Sequence, residues 1–157
     1  MNITFLMCGK TSEKWISDGM DTYLKRLRNY MNVDVKVLPD LKKISNLSQK
    51  EVKILEEHQI IPSLTPSDYV IILDEHGHEY TSLLFADELQ KLMNSGRKNV
   101  VFVIGGPYGF SEAMHQRSDK MISLSQMTFS HQMVRVIFLE QLYRAFTIIH
   151  NEPYHHE

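Results

Sequence analysis

Three short stretches hold the side chains and backbone best suited to chemistry, and all lie in the last third of a 157-residue chain. The first is Gly105-Gly106-Pro107-Tyr108-Gly109, with Ser111 and Glu112 opening a helix behind it. Glycines let backbone approach a bound molecule closely and take positive φ, and Pro107 stiffens the turn. The second is Ser125-Gln126-Met127-Thr128-Phe129-Ser130-His131. Its hydroxyls offer donors and acceptors, Ser130 suits a helix N-cap, and Met127 and Phe129 are apolar side chains able to cover a flat ring. The third is the tail, Asn151-Glu152-Pro153-Tyr154-His155-His156-Glu157, where a tyrosine and two histidines suit stacking and proton handling.

Each stretch also has a plainer reading. The glycine turn lacks the GxGxxG spacing with a later acidic residue, and it lacks the GK[ST] ending, so neither a dinucleotide fingerprint nor a P-loop is present. By itself it is a tight strand-to-helix turn. The Ser/Thr loop could do no more than cap a helix. Arg144 follows Glu140 by four residues, which makes either a surface ion pair or an arginine aimed at phosphate or a base. A zinc site from His155, His156 and Glu157 has poor ligand geometry on adjacent residues of an extended chain, so no metal is expected. Cys8 sits in an apolar run and reads as a small buried hydrophobe rather than a nucleophile.

The elements that must position these stretches alternate along the chain. Strands are expected over Asn2–Cys8, over Val33–Leu38 as a half-exposed edge, over Tyr69–Leu73, over Val100–Ile104 and in the segment before Ser125. Asp74-Glu75-His76-Gly77 reads as a loop. Helices are expected over Ser12–Met31, with Trp15, Ile16, Met20, Tyr23, Leu24 and Leu27 on one face, and from a Ser48/Glu51 capping box to about Ile60. Two more are expected, over Ser82–Met93 with Gly96 as its stop, and from about His131 to His150. Pro153 is expected to hold the tail extended. Such alternation implies an α/β fold, with a parallel-rich sheet covered by helices on both faces. In such sheets, loops at strand ends hold nucleotide-like ligands. The last helix is apolar on nearly every side, which predicts a homodimer burying it.

Composition sets the outer bounds. At 43% hydrophobic and 23% charged residues, the chain is that of an ordinary globular domain. One cysteine excludes an internal disulfide framework. No apolar run approaches the ~18–20 residues of a membrane span, and Lys10, Glu13 and Lys14 come too early for a signal peptide, so a cytoplasmic protein is expected. A net charge of −2 gives no global basic field. Lys25, Arg26 and Arg28, Lys42 and Lys43, and Arg97 and Lys98 form local clusters, read as solvated surface or as phosphate contacts.

The segments VFVIGGPYGFS, LSQMTFSHQMVRVIFLEQLYRAFTIIHNEPYHHE and ILDEHG together resemble the ribosomal large-subunit pseudouridine methyltransferase H family, minimal members of the SPOUT methyltransferases. The resemblance runs over residues 1–157 as a single domain and is most specific in the last third. It implies an α/β sheet whose C-terminal part, about residues 68–157, is tied in a deep trefoil knot. Patterning alone describes only an unknotted doubly wound sheet. It further implies S-adenosylmethionine as cofactor, contacted by Leu73, Gly105, Ser125, Gln126, Met127, Thr128, Phe129 and Ser130, with its methyl facing the partner subunit's tail. The implied reaction is N3 methylation of pseudouridine 1915 in helix 69 of 23S rRNA, on the assembled 70S ribosome. Arg144, Tyr154 and His155 are then the expected catalytic residues, with Lys25, Arg26, Arg28, Arg97 and Lys98 as phosphate contacts. A SPOUT enzyme acting on tRNA or another rRNA site, a non-catalytic nucleotide-binding module associated with the ribosome, and a flavodoxin-like redox protein are the other readings.

Overall fold

A computed structural model describes residues 1–156; Glu157, one of the residues considered for a metal, lies outside them. The strands are β1 (Asn2–Cys8), β2 (Val33–Leu38), β3 (Tyr69–Glu79), β4 (Asn99–Ile104) and β5 (Lys120–Ser123). The helices are α1 (Lys14–Leu27), α2 (Gln49–Ile60), α3 (Ser82–Asn94), α4 (Glu112–Arg117) and α5 (Met133–Ile149). All five strands form one sheet in the order β2-β1-β4-β3-β5, and every pairing is parallel. The expected α/β architecture is therefore present, with β2 on an edge.

Side chains alternate across this sheet with the period of two that a strand imposes. Ile3, Phe5 and Met7 of β1, with Val100, Phe102 and Ile104 of β4, face α1, α3 and α5. Leu6, Val70, Ile72, Val101 and Val103 face the opposite way, toward Ile60 of α2 and Met114 of α4. Helices thus cover both faces. Phe138 anchors the larger core, with ring centroids 4.7 Å from Phe102 and 5.2 Å from Phe5.

Several local expectations shift. α1 begins at Lys14 and ends at Leu27, and Trp15 is 57% exposed rather than part of the apolar face. Ser48 and Glu51 do form the capping box of α2. Gly96 stands just past α3 at φ +75°, the left-handed conformation expected of a stop. Asp74–Gly77 is not a free loop: β3 continues through it as a wide bulge, and Leu73 and His78 both pair with Ile122. Gly77 is required there, because a Cβ would lie 2.6 Å from the backbone N of Ile122.

α5 packs against α1 and α3 as well as the sheet. Phe138, Leu139, Leu142, Ala145 and Phe146 are buried, and Met133, Val134, Val136, Tyr143, Ile148 and Ile149 pack partly buried on the same core. Much of the cover that its all-round apolarity demands comes from within the chain. No helix among the described residues is long and apolar enough to cross a membrane.

α5 ends before Pro153. Asn151 takes φ +56°, its N–H donates to the Ile148 carbonyl (3.0 Å), and Glu152 N–H donates to the Thr147 carbonyl (2.9 Å). That is a Schellman turn with asparagine in the place glycine usually takes. The tail consequently folds back on α5 instead of extending.

Candidate active site

Because the strands are parallel, the carboxyl ends of β3, β4 and β5 share one edge of the sheet, and a cleft of about 630 Å³ opens there. Ligands bind outside the carboxyl ends of open α/β sheets because helix N-termini and unpaired loop backbone converge at that edge. Leu73 and the bulge form one wall, Gly105–Phe110 the floor, and Ser125, Met127, Thr128, Phe129, Ser130 and His131 the other wall. Every cofactor residue expected from the resemblance lines the cleft except Gln126. Its amide instead donates to Glu79 at 3.3 Å, outside the cleft lining.

The walls are held from behind. Gly106 N–H donates to the buried Glu56 carboxylate at 3.0 Å, and a Cβ on Gly106 would lie 1.9 Å from Glu56 Oε1. Burial pushes Glu56 above the usual carboxylate range, and the bond from Gly106 only partly offsets this. Ser130 Oγ accepts from Met133 N–H at 3.1 Å in the turn leading into α5, but the helix starts two residues later than expected and its N-cap place falls to Gln132, not Ser130. Arg135 is fully buried and donates to the Cys8 carbonyl (2.7 Å) and Thr11 Oγ1 (2.8 Å), clasping α5 to the end of β1. Burial, then the Arg135 charge, holds His131 below the ordinary histidine range, so the imidazole is a neutral group at pH 7. Burial likewise pushes the Cys8 thiol up to about 12, with the Glu56 charge adding to it, which leaves it inert.

Within the bulge, Asp74 is the polar anchor that sequence reading missed. Its carboxylate is 6% exposed and sits 3.0 Å from both His76 Nδ1 and His115 Nε2. Burial raises its pKa, but the hydrogen bonds from His115 and His76 outweigh this and leave it below the usual range. His115 comes from α4, so its bond ties the bulge to that helix.

Arg144, Tyr154 and His155 do come together, but away from this cleft. Arg144 donates to Glu140 Oε1 through Nε (3.0 Å) and Nη2 (2.6 Å), lies 4.7 Å from the Tyr154 ring centre, and has His155 Nδ1 3.4 Å from Nη1. The expected Glu140–Arg144 pair exists, and it is a partly buried hub rather than a loose surface contact. Tyr154 also donates to Glu140 (3.2 Å) and packs edge-on to Tyr143 at 4.8 Å. Burial, with hydrogen bonds to Tyr23 and Glu140, raises the Tyr154 phenol well above its usual value, so it stays protonated. Tyr30 donates to Glu152 and fixes the start of the tail. Of the basic clusters, Arg26 stands over the Tyr23 and Tyr143 rings, each 5.6 Å away, beside this hub. Arg97 lies elsewhere, 3.9 Å over Tyr69.

A parallel sheet with a loop-built cleft at its carboxyl edge and a separate cationic, aromatic hub on the last helix fits a group-transfer enzyme. The family described as Predicted SPOUT methyltransferase matches residues 1–155, which places the chain among the SPOUT methyltransferases. A probable methylase family protein of Haemophilus influenzae shares the fold, with a TM-score of 0.53 at 12% identity, covering 99% of this chain and 71% of that one. Among curated proteins, a ribosomal RNA large subunit methyltransferase H of Flavobacterium psychrophilum is 52% identical over 157 residues, all of both chains. One of Parabacteroides distasonis is 48% identical over the same full span. The chain belongs to the ribosomal RNA large subunit methyltransferase H family.

Proposed function

We propose that the protein transfers a methyl group from S-adenosylmethionine to N3 of pseudouridine 1915 in helix 69 of 23S rRNA, on the assembled 70S ribosome. The observation that carries this reading is the convergence of Leu73, Gly105, Ser125 and Met127–Ser130 on one cleft. Its size lies within the ~300–1,000 Å³ range of cofactor sites. Its donors suit the cofactor as well: backbone and hydroxyl groups for the ribose and adenine edges, apolar Met127 and Phe129 for the ring face. In this reading the part spanning about residues 68–157 is the knotted, cofactor-binding portion of a single domain over 1–157.

The cofactor supplies an already activated methyl on a sulfonium. The methyl–sulfur bond breaks as the N3–methyl bond forms, S-adenosylhomocysteine leaves, and the N3 proton must go to a base. The chain's own residues then have three tasks. Arg144 offsets the negative charge that grows on the base as its proton departs. Tyr154, held as a phenol, stacks on the base and donates rather than accepts. His155 takes the proton or positions the base. Since this hub lies away from the cleft within one chain, a homodimer in which one protomer's tail meets its partner's cofactor completes the site. Arg26, with Lys25 beside it in α1 and Arg28 just past the helix end, contributes phosphate contacts next to the hub.

Labelled S-adenosylmethionine offered side by side to intact ribosomes, free 23S rRNA and tRNA tests the reading. Label only on ribosomes, at N3 of the helix 69 pseudouridine, is the expected result. Label on tRNA, or none with cofactor still bound, overturns it. Sedimentation is expected to give twice the 18.4 kDa of one chain; a monomer at micromolar concentration contradicts a shared site.

A further inference from the structure

The loops of the cleft carry no lysine or arginine, yet the cleft has a cation. Gln49 and Lys53, from the first two turns of α2, stand in its wall, and Lys53 is the only lysine or arginine lining it among the described residues. Four residues apart, the two share one face of the helix. Their placement is fixed from below. Val52, Glu56 and Ile60 are the buried residues of α2, and Glu56, one turn beyond Lys53, accepts the Gly106 N–H. Lys53 is thereby set beside the glycine turn. It makes no ion pair among the described residues. Glu51, its nearest acidic neighbour toward the start of the helix, is bonded back to Ser48 in the capping box.

The remaining charges of the lining are differently disposed. Asp74 already holds two imidazoles, and Glu75 is exposed on the bulge beside it. The lining thus carries one lysine cation, from α2, and carboxylates from β3. S-Adenosylmethionine carries a carboxylate at its amino-acid end, and a carboxylate entering a half-enclosed cleft needs a counter-charge or donors.

We propose that Lys53, flanked by Gln49, is the subsite that binds the α-carboxylate of the methyl donor and so reads the amino-acid end of the cofactor. This rests on the reading that S-adenosylmethionine occupies the cleft. Isothermal titration of the full chain with S-adenosylmethionine and with its decarboxylated analogue separates the two ideas. The wild-type protein is expected to prefer the carboxylate-bearing ligand by about tenfold, the range of a charge-assisted contact that is only partly buried. Lys53→Gln is expected to abolish that preference by weakening only S-adenosylmethionine, and Lys53→Arg to retain most of it, with thermal melts unchanged in both. Equal weakening of both ligands, or an undiminished preference in Lys53→Gln, overturns the proposal. So does a loss of transfer to ribosomes with the preference intact, which would assign Lys53 to an rRNA phosphate. Failure of the wild-type protein to bind either ligand instead defeats the reading of the cleft.

Discussion

The cleft at the carboxyl edge of the sheet and the hub at the end of α5 are built on opposite plans. Backbone and small side chains make the cleft, on loops pinned by buried anchors: Glu56 under Gly106, Asp74 in the bulge, Arg135 under the start of α5. Long charged and aromatic side chains make the hub, and Glu140 gathers Arg144 and Tyr154 onto one carboxylate. A cofactor of fixed shape is well held by preformed backbone, which loses little entropy on binding. A charge that appears only during reaction calls for a cation and a proton-bearing ring already held in place. On the proposed function, cofactor affinity belongs to the first region and rate to the second.

The largest effect expected from that division is on rate alone. Arg144→Ala should lower methyl transfer to ribosomes about 100-fold or more while cofactor affinity, by titration, stays within about twofold. A parallel fall in affinity would merge the two regions into one. On the cleft side, Gly77→Ala places a methyl 2.6 Å from Ile122 backbone, where nothing flexible can yield. It should cost about 3 kcal/mol in denaturant unfolding and reduce cofactor affinity with it. An unchanged midpoint would mean that the bulge is not the rigid wall described.

A subtler test uses pH. Asp74 titrates below its ordinary 3.8 in the folded chain, so its bonds to His115 and His76 add stability that is present above that pH and lost as pH falls through the folded value. Asp74→Asn should therefore melt earlier than wild type at pH 7, by roughly 1 kcal/mol, and the gap should close in acid. A gap independent of pH would show that packing, not the charge, holds the bulge. The smallest effect belongs to Gln126→Ala, whose side chain is bonded to Glu79 and stands apart from the cleft lining. Cofactor affinity within about twofold of wild type is expected, and a tenfold loss would return Gln126 to the cofactor site.

These regions were unequally legible in the sequence. The glycine turn, the Ser/Thr loop and the ends of β1, β2 and β4 follow from local pattern, because alternation and turn residues act over a few positions. The capping box of α2 was equally plain. What escaped depends on distant partners. Asp-Glu-His-Gly reads as a loop until His78 and Glu79 are seen to pair with Ile122 and Ser123. Trp15 fits the apolar period of α1 but stands largely exposed instead. The tail reads as extended after Pro153, whereas the Schellman turn at Asn151 and the edge-on packing of Tyr154 against Tyr143 bend it back. Lys53 carries no signal in its own neighbourhood, and only the packing of α2 under the glycine turn brings it to the cleft.

The division of labour is tested most directly by one double variant, Tyr154→Ala with His155→Ala, measured twice: S-adenosylmethionine binding by titration and methyl transfer to intact ribosomes. Affinity within about threefold of wild type, with transfer reduced at least about 100-fold, is the expected result. Affinity and transfer falling together would contradict it, and would show that the tail holds the cofactor rather than completing the chemistry on it.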